Sequence, residues 1–255
     1  MHIIAIGNQK GGSAKTTTAA ALAQAANSKG RKTLAIDLDP QGNLTDCTAA
    51  DPNRANSFDL LTTTPPRGDT IQQRPGGLCV IPASWNLATL TTEQGSARRL
   101  QRALQPLKKG FDYIFIDTPP TAGELQYNAL QAADTLIMPI PANKFGLQGL
   151  YQMTATARQF QKTNPELKHI GLVLTCYDGR TVIARDMAQT IAKAAVALDV
   201  QVYGIVRQGV SVQEAQATQS DLYEYAPNSN PAKDYMTVFE NLEVIYDGKK
   251  ELRNE

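Results

Sequence analysis

Short apolar runs alternate with longer stretches of helical character along this chain. The runs that predict strands lie at 3–6, 33–36, 78–81, 113–116, 136–140, 170–174 and 200–206, and the helical stretches lie at 15–28, about 86–105, 123–132, 146–163, 181–197 and 230–246. Continuous apolar strands separated by helices are typical of a parallel sheet covered on both faces. The pattern therefore predicts a doubly wound α/β fold, with a single domain over 1–255, a surface loop at 62–77 and a flexible tail at 247–255.

Composition narrows the class of protein. Of 255 residues, 42% are hydrophobic and 19% are charged, which is ordinary for a globular chain. No apolar run approaches the ~18 residues of a membrane-spanning helix. The amino-terminal residues form no basic leader, and three cysteines indicate neither a disulfide framework nor a metal site, so we expect a cytoplasmic protein. A net charge of +1 excludes strong nucleic-acid binding through bulk charge alone.

The segment 7–17, GNQKGGSAKTT, follows the first predicted strand and opens the first predicted helix. Glycines let backbone N–H groups approach an anion, and the helix N-terminus favours negative charge. Lys15 would neutralise the β- and γ-phosphates of a nucleotide, and the Thr16 hydroxyl would reach Mg²⁺. The segment does not match the phosphate-loop pattern GxxxxGK[ST], because Gln9 and Ala14 occupy the two positions that require glycine. A glycine-containing turn that binds nothing is the alternative.

The string KGGSAKTT resembles the deviant Walker A motif, KGGxxKT, of the ParA/MinD family of P-loop ATPases. The resemblance implies that ATP is bound by Lys10, Gly11, Gly12, Ser13, Ala14, Lys15, Thr16 and Thr17. It also implies that Lys10 reaches the phosphates of a partner subunit in a homodimer with sandwiched ATP, where it acts as an electrostatic catalyst beside Lys15. An ordinary solvated loop lysine is the alternative for Lys10.

Two further segments place carboxylates after strands. IDLDPQGN contains Asp37 and Asp39, and IFIDTPP contains Asp117, in the order expected for a nucleotide site at the carboxyl edge of a sheet. They resemble the family's DxDPQGN and hhhDxPP segments. The resemblance implies that Asp39 positions the attacking water and that Asp37 and Asp117 hold Mg²⁺ through water. A strand-end Asp-Pro turn is the alternative for the first segment.

Later matches are less regular. TCYDGRT at 175–181 resembles TMYDxRT of the family, and the stretch after 205 resembles IPRN, so Tyr177 and Arg207 are the expected nucleotide-base contacts. Pro141 and Asn143 depart from the family's IPVQAE, and Val206 and Gln208 depart from IPRN. These departures leave the base contacts and the dimer open, and they leave the phosphate chemistry unchanged.

As a whole, the resemblance implies a ParA-type ATPase without an N-terminal helix-turn-helix domain. Such a protein dimerises with ATP, binds non-specific DNA and thereby associates with the nucleoid. A centromere-binding ParB-like protein is its partner, and together they segregate a plasmid, chromosome or mobile element. The expected DNA contacts are Arg180, Arg185, Lys193 and Arg207, and a second basic run covers 98–109.

The alternative is a MinD-like or conjugation-associated positioning ATPase that acts as a nucleotide-dependent switch on a protein complex. Five acidic and three basic residues at 240–255 disfavour binding to anionic lipid.

Overall fold

A computed structural model describes residues 1–63, 69–90 and 96–251, the last five of these by their backbone. Its strands form one eight-stranded sheet in the order β3-β4-β2-β5-β1-β6-β7-β8. They span β1 His2–Ile6, β2 Thr33–Asp37, β3 Gln72–Gln73, β4 Cys79–Ile81, β5 Tyr113–Asp117, β6 Thr135–Pro141, β7 His169–Tyr177 and β8 Gln201–Arg207. All pairings are parallel except β3 with β4.

Helices cover both faces of this sheet. They span α1 Lys15–Ser28, α2 Asn43–Cys47, α3 Ser57–Thr62, α4 Arg99–Ala103, α5 Glu124–Ala132, α6 Lys144–Gln161, α7 Val182–Ala197, α8 Val210–Ala217, α9 Leu222–Tyr225 and α10 Asn230–Glu251. Alternate residues of each central strand enter opposite cores: Ala5 and Ile114 pack with α4 to α7, whereas Ile4 and Phe115 pack with α1, α2 and α8 to α10. Both faces are therefore buried, which explains the continuous apolar runs and confirms the doubly wound α/β prediction.

The predicted helix over 86–105 is wrong. In its place are 3-10 turns at Trp85–Thr89, Ser96–Arg98 and Gln105–Leu107, with α4 between the last two, and 91–95 lie outside the described residues. The Ser84 hydroxyl caps the first turn by accepting the Asn86 N–H, and Thr89 and Gly95 lower helix propensity along the stretch. The short helices α2, α3, α8 and α9 were not predicted at all, because four to eight residues carry too little periodicity.

The two segments predicted to be irregular contain regular structure. Within 62–77, Thr62 ends α3, and β3 pairs antiparallel with β4 through Gln72 and Gln73. Positions 64–68 of the predicted loop lie outside the described residues. The backbone at 247–251 continues α10, so the predicted tail does not begin at 247, and 252–255 again lie outside the described residues.

Candidate nucleotide site

The phosphate loop joins β1 to α1 at the carboxyl edge of the sheet. Its backbone turns through Gly12, with φ of 70°, and Ala14, with φ of 65°. The Lys10 carbonyl accepts a hydrogen bond from Ser13 Oγ at 3.1 Å and another from Lys15 Nζ at 3.0 Å. The first N–H groups of α1 have no intrahelical acceptor, as at every helix start. A concave loop with a buried ammonium and free helix-start donors is suited to an anion.

Side chains from distant elements hold this loop in place. The Asn8 amide donates to the Pro139 carbonyl in β6 at 2.8 Å. The Gln9 amide donates to Gln126 in α5 at 3.2 Å and to Thr156 in α6 at 3.0 Å. Gln9, which occupies one of the two expected glycine positions, therefore joins the loop to the helices beside it.

Three carboxylates lie beside the loop: Asp37 and Asp117 end β2 and β5, and Asp39 follows β2. Asp37 and Asp117 are register partners on adjacent strands, and both are fully buried. The Asp37 carboxylate accepts the N–H groups of Asp39 and Thr45 and the Thr45 hydroxyl. Asp39 is also buried, and its Oδ1 accepts the Gln41 N–H at 3.0 Å. Asp37 thus fixes the loop that carries Asp39, a structural task performed through Thr45 that the motif did not reveal.

Asp117 differs from its neighbours because both of its oxygens are buried without a hydrogen-bond partner among the described residues. Burial and the charge of Asp37 raise its pKa well above the ordinary value, against the opposing effects of Thr16 and Lys15. Burial likewise raises the pKa of Asp37 to about 6. Burial lowers the pKa of Lys15, whereas the charges of Asp117 and Asp39 raise it. An uncompensated carboxylate near a threonine hydroxyl and a lysine fits a hydrated Mg²⁺ and the phosphates that accompany it.

A second cleft, of about 830 Å³, opens where β7 and β8 end. The structure brings Tyr177 and Arg207 together here, since they are register partners and both line the cleft. A bulge precedes Tyr177, with Cys176 at φ of 52°. The Arg207 guanidinium binds both oxygens of Asp234, at 2.8 and 2.6 Å, so two of its five N–H donors already have a partner.

The four residues expected to contact DNA differ in their surroundings. Arg207 is paired with Asp234, and Arg180 forms two hydrogen bonds of 2.8 Å with Asp178. Arg185 donates to the Gly179 carbonyl at 2.8 Å. Lys193, on the exposed side of α7, has no ion pair within the described part of the chain.

Two residues after β6 lie beside the phosphate loop, in roles that the motifs did not predict. Lys10 Nζ lies 3.6 Å from the centroid of the Phe145 ring, in the first turn of α6. Asn143 is the N-cap of α6, and its side chain accepts the N–H groups of Phe145 and Gly146. The asparagine before a helical stretch is itself an N-cap signal and could have predicted this role. An exposed aromatic residue gives no such signal.

None of the helices in the described ranges is long and apolar enough to cross a membrane.

Comparison with known proteins identifies the family. A family profile described as an AAA domain matches residues 1–169. The chromosome-partitioning ATPase Soj of Thermus thermophilus is 33% identical over 242 residues, which cover 94% of each chain. The sporulation initiation inhibitor protein Soj of Bacillus subtilis is 34% identical over 244 residues, covering 92% of this chain and 96% of that protein.

Solved structures agree with the fold. Cobyrinic acid a,c-diamide synthase from Mycobacterium smegmatis, with bound ADP and magnesium, superposes with a TM-score of 0.79 at 30% identity, covering 97% of this chain and 96% of that one. McdA from Cyanothece, at 24% identity, has a TM-score of 0.82 and shares the fold, with 95% and 99% of the two chains covered. With its phosphate loop, its strand-end carboxylates and relatives that align over nearly its whole length, this chain belongs to the ParA/Soj family of chromosome-partitioning ATPases.

Proposed function

We propose that this chain is a Mg²⁺-dependent ATPase that dimerises on ATP, binds DNA without sequence preference in that state and releases it after hydrolysis. The buried, unpartnered Asp117 carboxylate beside Lys15 is the observation that carries the nucleotide part of this proposal. The Soj relatives, one of them named a chromosome-partitioning ATPase, support the remainder. The cargo would be a plasmid, a chromosome or a mobile element, and the chain would act as one ATPase domain.

The roles at the phosphates follow from the contacts of each side chain. A phosphate would draw the Lys15 ammonium away from the Lys10 carbonyl, because a charged acceptor binds it more strongly than a neutral one. The backbone of Gly11 to Ala14 and the hydroxyls of Thr16 and Thr17 complete the proposed cradle. Mg²⁺, held directly by Thr16 and through water by Asp37 and Asp117, would neutralise charge on the phosphates. Asp39 would orient the attacking water.

The base would occupy the cleft between Tyr177 and Arg207. Tyr177 offers a ring on which a base can stack. Asp234 neutralises the charge of Arg207 and orients its guanidinium, so we expect a smaller contribution from Arg207 than from the phosphate loop.

A second subunit and DNA are the partners that we infer from Lys10 and from the surface charge. Lys10 would cross to the phosphates of a second subunit, so that two ATP molecules join a homodimer. The dimer would present two copies of α7, where Arg185 and Lys193 share one side at a helical spacing of eight, to the phosphates of DNA. We further propose a cytoplasmic, nucleoid-associated protein whose hydrolysis is stimulated by a ParB-like, centromere-binding protein.

The deciding experiment measures retention of the protein on immobilised non-specific duplex DNA over a series of salt concentrations, with Mg-ATP and with Mg-ADP. We expect retention with ATP alone, and the logarithm of the binding constant obtained from it should fall linearly with the logarithm of salt concentration. Removing Arg185 and Lys193 should flatten that slope by about 0.9 for each lost phosphate contact. The matched pair Lys108→Ala and Lys109→Ala, in the other basic run, should change it less.

Two variants separate the steps in the same assay. Asp39→Ala should keep ATP-driven dimerisation and DNA retention while losing hydrolysis, and Lys10→Ala should lose dimerisation and hydrolysis. Equal retention with ATP and ADP would refute the proposal. Hydrolysis that neither DNA nor a ParB-like protein stimulates would instead favour a nucleotide-dependent switch on a protein complex. Ala14 departs from the glycine of the ordinary phosphate-loop pattern, but it takes the left-handed backbone conformation that glycine adopts freely, so this departure does not by itself favour the alternative.

A further inference from the structure

The Lys10 side chain occupies a defined position on the surface of its own subunit. Its ammonium lies 3.6 Å from the centroid of the Phe145 ring, within the range of a cation–π contact. The Phe145 side chain is 49% exposed, so the pair lies at the molecular surface. Among the described residues Lys10 makes no ion pair, and its ammonium contacts the Phe145 ring.

The backbone that carries the ring is fixed by the start of α6. Asn143 accepts the N–H groups of Phe145 and Gly146 at 3.0 and 3.1 Å and thereby fixes the backbone of the first turn. A Cβ atom at Gly146 would clash with the Pro141 carbonyl oxygen, so this turn packs directly against the end of β6. Phe145 therefore lies on a capped helix start that packs against the end of β6.

The carboxylates beside the loop would attract the Lys10 ammonium if it did not contact the ring. Lys15 already lies among Asp39 and Asp117 and donates to the Lys10 carbonyl. A second ammonium that folded back toward the same carboxylates would compete with Lys15 and would be unable to reach another subunit. A ring on the outer side of the loop offers the Lys10 ammonium an alternative that keeps it at the surface.

We propose that Phe145 is a positioning residue that holds the Lys10 ammonium on the outer face of the phosphate loop, available to the nucleotide of a partner subunit. This inference rests on the proposed role of Lys10 across the dimer. The ring limits the side-chain freedom that Lys10 must lose on dimerisation and keeps it away from the carboxylates of its own subunit. Exposed cation–π contacts change an equilibrium about two- to fivefold, and a dimer contains two of them.

The test compares Phe145→Leu with Phe145→Tyr in the full-length protein. The leucine variant should weaken ATP-dependent dimerisation about five- to twentyfold and lower kcat, while ATP binding by the monomer stays unchanged, and the tyrosine variant should behave like the unaltered protein. Tyr151→Leu is the matched control, because Tyr151 is 50% exposed on the same helix. Without nucleotide, the ε-methylene protons of Lys10 should show an upfield ring-current shift that Phe145→Leu abolishes.

Combining the variants separates this inference from the function on which it rests. Phe145→Leu should have no further effect on dimerisation in a Lys10→Ala background, because the ring acts through the lysine. If Lys10→Ala dimerises and hydrolyses ATP normally, the role across the dimer is wrong. If Lys10→Ala is defective but Phe145→Leu dimerises normally or more tightly, only the positioning role is wrong. Equal losses in Phe145→Leu and Tyr151→Leu would also overturn it.

Discussion

Ala14 shows how one residue can depart from a motif and keep its geometry. The residue has φ of 65° and ψ of 33°, in the left-handed region that glycine adopts freely and alanine adopts at a cost of about 1–2 kcal/mol. The side chain forms no capping hydrogen bond for α1. The loop therefore keeps the backbone course that a glycine would give it, while the alanine carries strain.

Replacing Ala14 with glycine should raise the free energy of unfolding by about 0.5–1 kcal/mol. Relief of the left-handed strain exceeds the extra entropy that glycine gives the unfolded chain. Urea denaturation measures the change, which should appear in the midpoint and leave the slope unaltered. Ala192→Gly, at an exposed position inside α7, is the control of opposite sign and should cost about 1 kcal/mol. A destabilised Ala14→Gly protein would contradict this account.

At the scale of elements, the connection from β6 to α6 accounts for both departures from IPVQAE. Pro139 and Pro141 lie in β6, a central strand that would ordinarily exclude proline. Register pairing of β6 with β1 ends at Ile137, and the Pro139 carbonyl then faces the Asn8 amide of the phosphate loop. Proline is tolerated because β1 offers no further strand partner on that side. Asn143, in turn, supplies the cap from which α6 begins.

Removing this cap should cost about 1 kcal/mol of stability. Asn143→Ala leaves the N–H groups of Phe145 and Gly146 without their side-chain acceptor, and such losses range over about 0.5–2 kcal/mol. Asn143→Asp should be neutral or slightly stabilising, because a carboxylate caps as well and is favoured at a helix N-terminus. Thermal or urea unfolding distinguishes the two variants. Equal losses in both would show that the asparagine does more than cap.

The sequence predicted the elements that repeat a pattern and the site residues that share a motif. The central strands were predictable because they are buried on both faces, the edge strand β8 was predictable from its apolar run although only one of its faces is buried, and the phosphate-loop residues stand in one consecutive segment. The pairing of Thr45 with Asp37 was not predictable, since the short helix α2 was not predicted and a threonine hydroxyl has many possible partners. The contact of Lys10 with Phe145 depends on the order of β1 and β6 in the sheet, which no local spacing encodes. The departures at Val206 and Gln208 have no structural explanation here.

At the scale of the whole molecule, Asp134 joins distant parts of the chain at the amino edge of the sheet. Its Oδ2 accepts the Ile3 N–H of β1 at 2.8 Å, and its Oδ1 accepts the hydroxyls of Thr135 and Tyr246 at 3.0 and 3.2 Å. Tyr246 stacks on His2, with ring centroids 3.6 Å apart, and thereby holds α10 against the edge of the sheet opposite the nucleotide site. One carboxylate thus connects β1, β6 and α10.

Burial raises the pKa of the Asp134 carboxyl, against the opposing effects of its hydrogen bonds and of the amino terminus. The folded protein therefore holds this proton more tightly than the unfolded chain, in which the pKa of an aspartate is about 3.9. The stability that the group contributes is complete below that value. It is lost as the pH rises until the folded carboxyl has ionised, and it stays constant above that point.

The free energy of unfolding of the unaltered protein, minus that of the Asp134→Asn variant, should therefore be larger near pH 4.5 than near pH 7. The asparagine does not titrate, and other ionisable groups largely cancel in the difference. Urea denaturation at each pH gives the two curves. Tyr246→Phe should steepen the loss of stability with rising pH, because the Tyr246 hydroxyl is one of the donors that lower the pKa of Asp134. A difference that is flat with pH, or that grows toward pH 7, would show that the Asp134 proton is not held by the fold.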